Sequence, residues 1–238
     1  MNEPCKVCGK SGNFIKGNEV FCHDHVTGLV DLNEMMNELA PDEKRTFLKK
    51  FYDGAYKNNM YSPQNGLYAW EWIIDRTGIV FVNALDVGCG TGVGLKYAVD
   101  RGKDVYGIDF ADAREEWKKY GVEDRCKIAS ALDIPYPDNS FDLVVCLDVM
   151  EHIPEGDSLN ALKEIRRVGS RAFIFAIALT LEKEPVGKKV LTHINVKNAN
   201  WWIQKMSEAG YGAAVFKNGN QAVQYDDHHI RAFLTKDC

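Results

Sequence analysis

Leu85-Asp86-Val87-Gly88-Cys89-Gly90-Thr91-Gly92 is an apolar run that breaks into alternating glycines. Gly107-Ile108-Asp109-Phe110 repeats the pattern further on: an apolar stretch that ends in an acid. Glycines permit a sharp turn and leave room for a ligand to lie against the backbone. An acid about 20 residues later is placed to accept hydrogen bonds from a ribose diol. Together these features suit a cofactor that contains adenosine. The glycines are spaced G-x-G-x-G, whereas a dinucleotide fingerprint reads G-x-G-x-x-G over a helix N-terminus that faces pyrophosphate. Asp86 stands at the mouth of the loop, where a carboxylate repels a pyrophosphate and attracts a cationic amino group.

A second set of residues points to a metal. Cys5-Lys6-Val7-Cys8 and Cys22-His23-Asp24-His25 supply two thiolates followed by a thiolate and an imidazole. That is the ligand count and spacing of a tetrahedral zinc site. We expect Zn2+ held by Cys5, Cys8, Cys22 and His25, with His23 as the rival fourth ligand. Four protein ligands close such a site, so its role is structural.

His152 and His193 follow predicted strands, and an imidazole there can accept a proton, which makes each a candidate base. Asp148, at the end of the fourth predicted strand, is the candidate acid of that region. Asp148-x-x-Glu151-His152 with His193 also reads as a divalent-metal constellation. His228 and His229 begin the last predicted strand and read as surface or edge residues. Tyr56 and Tyr61 either fold over the cofactor or pack within a helical cap.

The elements that must position these groups follow from hydrophobic periodicity. Residues 1–28 are rich in cysteine and glycine and poor in aliphatics, and we assign them to a zinc-binding knuckle. From 29 to 78 the pattern is helical, with Phe47, Leu48, Phe51 and Ala55 on one face. Pro41-Asp42-Glu43 reads as a helix start, and Ser62-Pro63-Gln64-Asn65-Gly66 as a turn. From 79 to 238 strands alternate with helices. Strands are predicted near 82–87, 104–108, 126–129, 142–147 and 172–178, then an antiparallel pair near 212–217 and 229–235. Such alternation implies an α/β, Rossmann-like parallel sheet with crossover helices on both faces.

The chain has 238 residues, 45% of them hydrophobic, and a formal net charge of -5. No block of basic residues stands out, which argues against non-specific nucleic-acid binding. No apolar run approaches the ~20 residues that span a bilayer, and the first residues lack the pattern of a secretory signal. A cytoplasmic location is expected, with the 7 cysteines present as thiols or metal ligands.

The glycine block, Asp109, the stretch Ala131-Leu132-Asp133-Ile134-Pro135-Tyr136-Pro137-Asp138-Asn139-Ser140-Phe141-Asp142 and the run from Leu143 to Ile153 resemble, in order, motifs of the class I S-adenosylmethionine-dependent methyltransferases. The resemblance spans roughly residues 80–238. It implies a seven-stranded, mostly parallel sheet with the last strand reversed, and S-adenosylmethionine as cofactor. By this likeness Asp86 orders the loop and the methionine amino group, while the backbone of Gly88, Cys89 and Gly90 packs on the cofactor. Asp109 takes the ribose and Phe110 lies near the adenine. Leu147 and Asp148 face the methionine end and the acceptor. Many members carry an acid where Ser130 stands, so the adenine contact falls to Ser130, Ala131 and Leu132.

The family's Asn/Asp-Pro-Pro-Tyr block for amino nitrogens is missing after the fourth strand, as is the Pro-Cys nucleophile of cytosine methylation. The expected acceptor is a hydroxyl or amine of a small molecule or glycan. His193-Ile194-Asn195-Val196, Trp201-Trp202 and Glu208-Ala209-Gly210-Tyr211 resemble methyltransferases of surface sugars, which favours a glycan. Asp148, Glu151, His152 and His193 are alternatively similar to the E-x-x-E-H metal set of small-RNA 2′-O-methyltransferases and of a quinone O-methyltransferase group, with aspartate in place of the first glutamate. A non-catalytic cofactor-fold binding module is the other alternative, and a homodimer is compatible with the sequence.

Overall fold

The computed structural model describes residues 14–16, 19–21, 30–57, 64–181, 190–213, 223–225 and 227–236. The chain divides into two compact units, Met1–Tyr61 with Leu181–Ile194, and Ser62–Thr180 with Asn195–Cys238.

In the first unit β1 (Phe14–Lys16) and β2 (Glu19–Phe21) pair antiparallel, with Phe14 opposite Phe21. A short strand, β3 (Val30–Asp31), leads into helices α1 (Leu32–Met36) and α2 (Pro41–Lys57). Pro41 opens α2 and Asp42 and Glu43 occupy its first turn, where the helix dipole favours acids. Phe47, Leu48, Phe51 and Ala55 are its buried stripe, as the periodicity predicts. A strand far along the chain, Val190–Leu191, pairs parallel with β3.

The second unit begins with α3 (Gln64–Arg76), β4 (Asn83–Val87), α4 (Val93–Val99), β5 (Asp104–Asp109), α5 (Arg114–Tyr120) and β6 (Cys126–Ile128). It continues with β7 (Phe141–Leu147), α6 (Ser158–Val168) and β8 (Gly169–Ala178). With Val190–Leu191 counted as β9, the last elements are α7 (Ala199–Glu208), β10 (Tyr211–Ala213), β11 (Val223–Tyr225) and β12 (His229–Lys236). The sheet order is β10-β12-β8-β7-β4-β5-β6, with β11 also on β12. Strands β4 to β8 of this sheet run parallel and β12 runs antiparallel to both β8 and β10. This is the expected Rossmann-like sheet with a reversed last strand; β11 is an addition that the sequence reading lacked.

The strands are apolar on both faces, as parallel strands between two helical layers must be. Leu85, Val87, Val144, Cys146, Phe173, Phe175 and Ile177 enter one core with Leu162 and Ile165 of α6 and Trp202 and Met206 of α7. The opposite face carries α3 and α4. Here the sequence reading differs from the structure. Of the turn expected at 62–66, Gln64, Asn65 and Gly66 instead open α3. The cause is a close helix crossing: a side chain at Gly94 of α4 would collide with the Gly66 carbonyl oxygen and with Trp70. Gly66, which reads as part of a turn, and Gly94 are where α3 and α4 touch. The compact unit therefore starts at Ser62, ahead of the boundary expected at 79.

Candidate functional site

Strand β4 carries Asp86 to its carboxyl end, and the glycine loop follows at once. Gly88, Gly90 and Gly92 all have positive φ, at 85°, 58° and 79°. A side chain on Gly88 would also collide with Val149, and one on Gly92 would lie 2.8 Å from Val122 Cγ2. The loop is thus shaped by what glycine alone permits. The N–H groups of Gly88 and Cys89 donate to the Ile108 carbonyl at 2.8 and 3.0 Å, and this anchors the loop to β5. Trp117 of α5 supports it from outside: its indole N–H donates to the Gly90 carbonyl at 2.9 Å.

Two carboxylates flank this loop. Asp86 is 8% exposed, and Oδ2 accepts the indole N–H of Trp70 at 2.7 Å. Burial pushes its pKa up to about 7; the Trp70 bond opposes that rise, and the charge of Asp109 adds to it. Asp109 ends β5. Its Oδ2 accepts the Gly90 N–H and its Oδ1 the Ala111 N–H, both at 2.8 Å. The acid expected to meet a ribose therefore points at the glycine loop, held in plane by two backbone donors. Trp70 as the partner of Asp86 was not identified from the sequence. Its only signal there was a place on the apolar side of a helix, which reads equally as core.

The remaining cofactor-side residues gather around the same strand ends. Phe110 is half-buried beside Asp109. Ser130 and Asp133 form a short bridge, and Ser130 Oγ accepts the Leu132 N–H at 3.1 Å, so that N–H is committed within the turn. Ala131 and Leu132 are half-buried. Arg167 pins the following stretch by donating to the carbonyls of Tyr136 and Ile134 at 2.9 and 3.0 Å. Cys89, 6% exposed, lies over Gly107, where a Cβ would be 2.7 Å from its sulfur. Its thiol is raised well above the usual range, first through its hydrogen bond with Cys126 and then through burial.

At the end of β7, Leu147 is half-buried and Asp148 exposed, the latter at a φ of 53°. The Asp148 N–H donates to the Ala176 carbonyl at 2.9 Å, which fixes this left-handed turn. A 3-10 turn, Met150–His152, follows. Glu151 is fully buried and its Oε1 accepts the Ala178 N–H at 3.0 Å, so it fastens the end of β8. His152 is half-buried on the same turn. His193 belongs to the first unit, two residues beyond β9, and is half-buried. Tyr56 lies on α2, half-buried. Cys5, Cys8, Cys22, His23, His25 and Tyr61 lie outside the described residues. The adjacent tryptophans, which the sequence leaves open between stacking on a sugar and packing in the core, are divided. Trp202 is fully buried in the core, whereas Trp201 is half-buried between Lys197 and Lys205.

Comparison with known proteins agrees with this geometry. Residues 85–175 match a family described as a methyltransferase domain. A ubiquinone biosynthesis O-methyltransferase of Pseudomonas fluorescens is 33% identical over 115 residues, 45% of this chain and 49% of that protein. The chain thus spans about half the length of the curated relatives it matches. A SAM-dependent methyltransferase from Aquifex aeolicus superposes with a TM-score of 0.53 at 21% identity, covering 78% of this chain and 98% of that one. Magnesium protoporphyrin IX methyltransferase from Synechocystis PCC 6803 gives a TM-score of 0.58 at 13% identity, covering 84% and 100%. Residues 85–175 thus match a methyltransferase domain, and the chain shares the fold of these solved methyltransferases.

Proposed function

We propose that this protein transfers the methyl group of S-adenosylmethionine to a hydroxyl of a small molecule. The observation that carries the reading is the pair of buried carboxylates, Asp86 and Asp109, each fastened by hydrogen bonds on either side of a loop that only glycines can form. The O-methyltransferase name of the Pseudomonas relative supports a hydroxyl as nucleophile. The cofactor supplies an electrophilic methyl on a sulfonium.

The chain supplies position, which can account for much of the rate of an in-line displacement. Asp86 holds the cationic amino group and Asp109 the ribose diol. Phe110 covers one face of the adenine, and the Ser130 hydroxyl with the Ala131 backbone meets its edge. The backbone of Gly88, Cys89 and Gly90 forms the floor. Leu147 and Asp148 stand where the acceptor meets the cofactor, because ligands of open parallel sheets bind beyond the carboxyl ends of the strands. His152 takes the proton of the acceptor hydroxyl. Burial of Trp202 removes half of the aromatic pair that favoured a glycan, and a small molecule is therefore the preferred acceptor.

Calorimetry with S-adenosylmethionine and S-adenosylhomocysteine tests this reading. Wild-type protein is expected to bind both. Asp109→Asn is expected to lose at least tenfold in affinity, since hydrogen bonds to a charged group contribute roughly 1.5–3 kcal/mol. Absence of binding by the wild type removes the enzymatic reading in favour of a binding module.

We also propose that Cys5, Cys8, Cys22 and His25 hold a structural zinc ion. The β1–β2 pairing supports this, because Phe14 opposite Phe21 makes the chain enter and leave the ladder at one end, between the two ligand pairs. Elemental analysis of the purified chain is expected to give one zinc per molecule, and Cys8→Ser to lose it. Metal-free wild-type protein that keeps its full melting temperature contradicts the assignment.

A further inference from the structure

The register of the sheet places a second feature on the face that carries Asp86. Asp86 is aligned with Val145, Val145 with Ile174, and Ile174 with Phe233. Aligned residues in adjacent strands share a face, and side chains alternate along each strand. Two residues nearer the ligand end, the next row on that face holds Asp109 on β5, then Leu147, Ala176 and Arg231 on β7, β8 and β12. The row beyond pairs Ala178 with His229. The alternation agrees: Ile230, Ala232 and Leu234 enter the opposite core, so His229, Arg231 and Phe233 face the Asp86 side.

At the ligand end this face carries small side chains on β8, the half-buried Ala176 and the buried Ala178. Its cofactor end carries two acids, Asp86 and Asp109, and the exposed Asp148 follows Leu147 at the end of β7. Its far side is basic, with Arg231 exposed and His229 half-buried. Trp72 of α3, 37% exposed, lies against Phe233 with ring centroids 5.5 Å apart and gives the lower part of the face an aromatic surface. Strands are spaced about 4.8 Å apart, so Arg231 stands roughly 10 Å from β7 and Asp148. One substituted ring bridges that gap.

We propose that Arg231, assisted by His229, selects an acceptor that bears a carboxylate or phosphate opposite its reacting hydroxyl. The inference rests on the methyltransferase reading and adds the acceptor's charge. The acids at the cofactor end repel an anionic group and the guanidinium at β12 attracts it. An anionic acceptor is therefore turned with its charge toward β12 and its hydroxyl toward the cofactor. Arginine suits the task because its planar fork meets both oxygens of a carboxylate or phosphate at once.

The test is calorimetry on the full chain saturated with S-adenosylhomocysteine. The titrants are 3,4-dihydroxybenzoate, its neutral amide, and phenyl phosphate. At least one anion is expected to bind tenfold or more tightly than the amide, and which one does so distinguishes carboxylate from phosphate. Arg231→Ala is expected to abolish that preference and leave S-adenosylhomocysteine affinity unchanged; Arg231→Lys is expected to keep part of it. Equal binding of anion and amide, no binding of either anion, or an unaltered preference in Arg231→Ala overturns the proposal while the methyltransferase reading stands. Wild-type protein that fails to take up S-adenosylhomocysteine removes both.

Discussion

The Asp86 carboxyl shows how a single environment sets both stability and ligand affinity. Its folded pKa of about 7 lies above the ordinary 3.8 because burial disfavours the charge. The folded state therefore holds this proton more tightly than the unfolded chain. The stability it contributes is complete below about pH 4 and is lost as pH rises toward 7. Wild-type protein is expected to lose denaturant stability relative to Asp86→Asn between about pH 4 and 7. Cofactor affinity runs the other way, because the cationic amino group needs the ionised form: it rises between pH 5.5 and 7.5 and then levels. Trp70→Phe removes the hydrogen bond that favours ionisation, so the midpoint of that rise is expected at higher pH in calorimetric titrations. The placement of Asp86, Gly88 and Asp109 at the ends of β4 and β5 was legible from type and spacing alone. The Trp70 bond was not, since its separation of 16 positions from Asp86 is bridged only when α3 lies on α4.

Among the elements, the glycine loop and the α3–α4 crossing depend on the same residue type for different reasons. Gly88 combines a φ of 85° with a Cβ direction aimed at Val149. Gly88→Ala is expected to cost about 1–3 kcal/mol in chemical denaturation through backbone strain and overpacking, and to weaken cofactor binding. Adding Val149→Ala relieves the collision and leaves the strained φ, so the double variant is expected to recover stability only in part. Full recovery means that packing alone required glycine. At Gly94 the obstacle is the Gly66 backbone, which cannot rotate away. The strands and the late helices were readable because their periodicity is strong. The start of α3 was not, because Ser62-Pro63 and Gly66 carry local turn signals that helix packing overrides. The division of Trp201 from Trp202 was equally illegible: adjacent residues on a helix point about 100° apart, and only the finished core decides which enters it.

For the whole molecule, the reading predicts that ligand and fold are linked through the second unit. A saturating product, at about 100 times its dissociation constant, stabilises the folded form by roughly 2.7 kcal/mol. S-adenosylhomocysteine is accordingly expected to raise the melting temperature by several degrees in differential scanning fluorimetry, and Asp109→Asn to show a much smaller rise. An unchanged wild-type transition contradicts a site preformed by β4 and β5. No helix among the described residues is long and apolar enough to cross a membrane.

The pairing of Val30–Asp31 with Val190–Leu191 has a consequence for how the chain can be cut. The first unit is not a detachable N-terminal appendage, because one of its strands is encoded beyond β8. During synthesis it cannot complete that ladder until residue 191 has emerged. Deleting residues 1–61 leaves the wholly sheltered Val190 with no strand beside it. A fragment reduced to the second unit must therefore also excise 181–194 and close the gap with a linker; a simple N-terminal truncation invites aggregation.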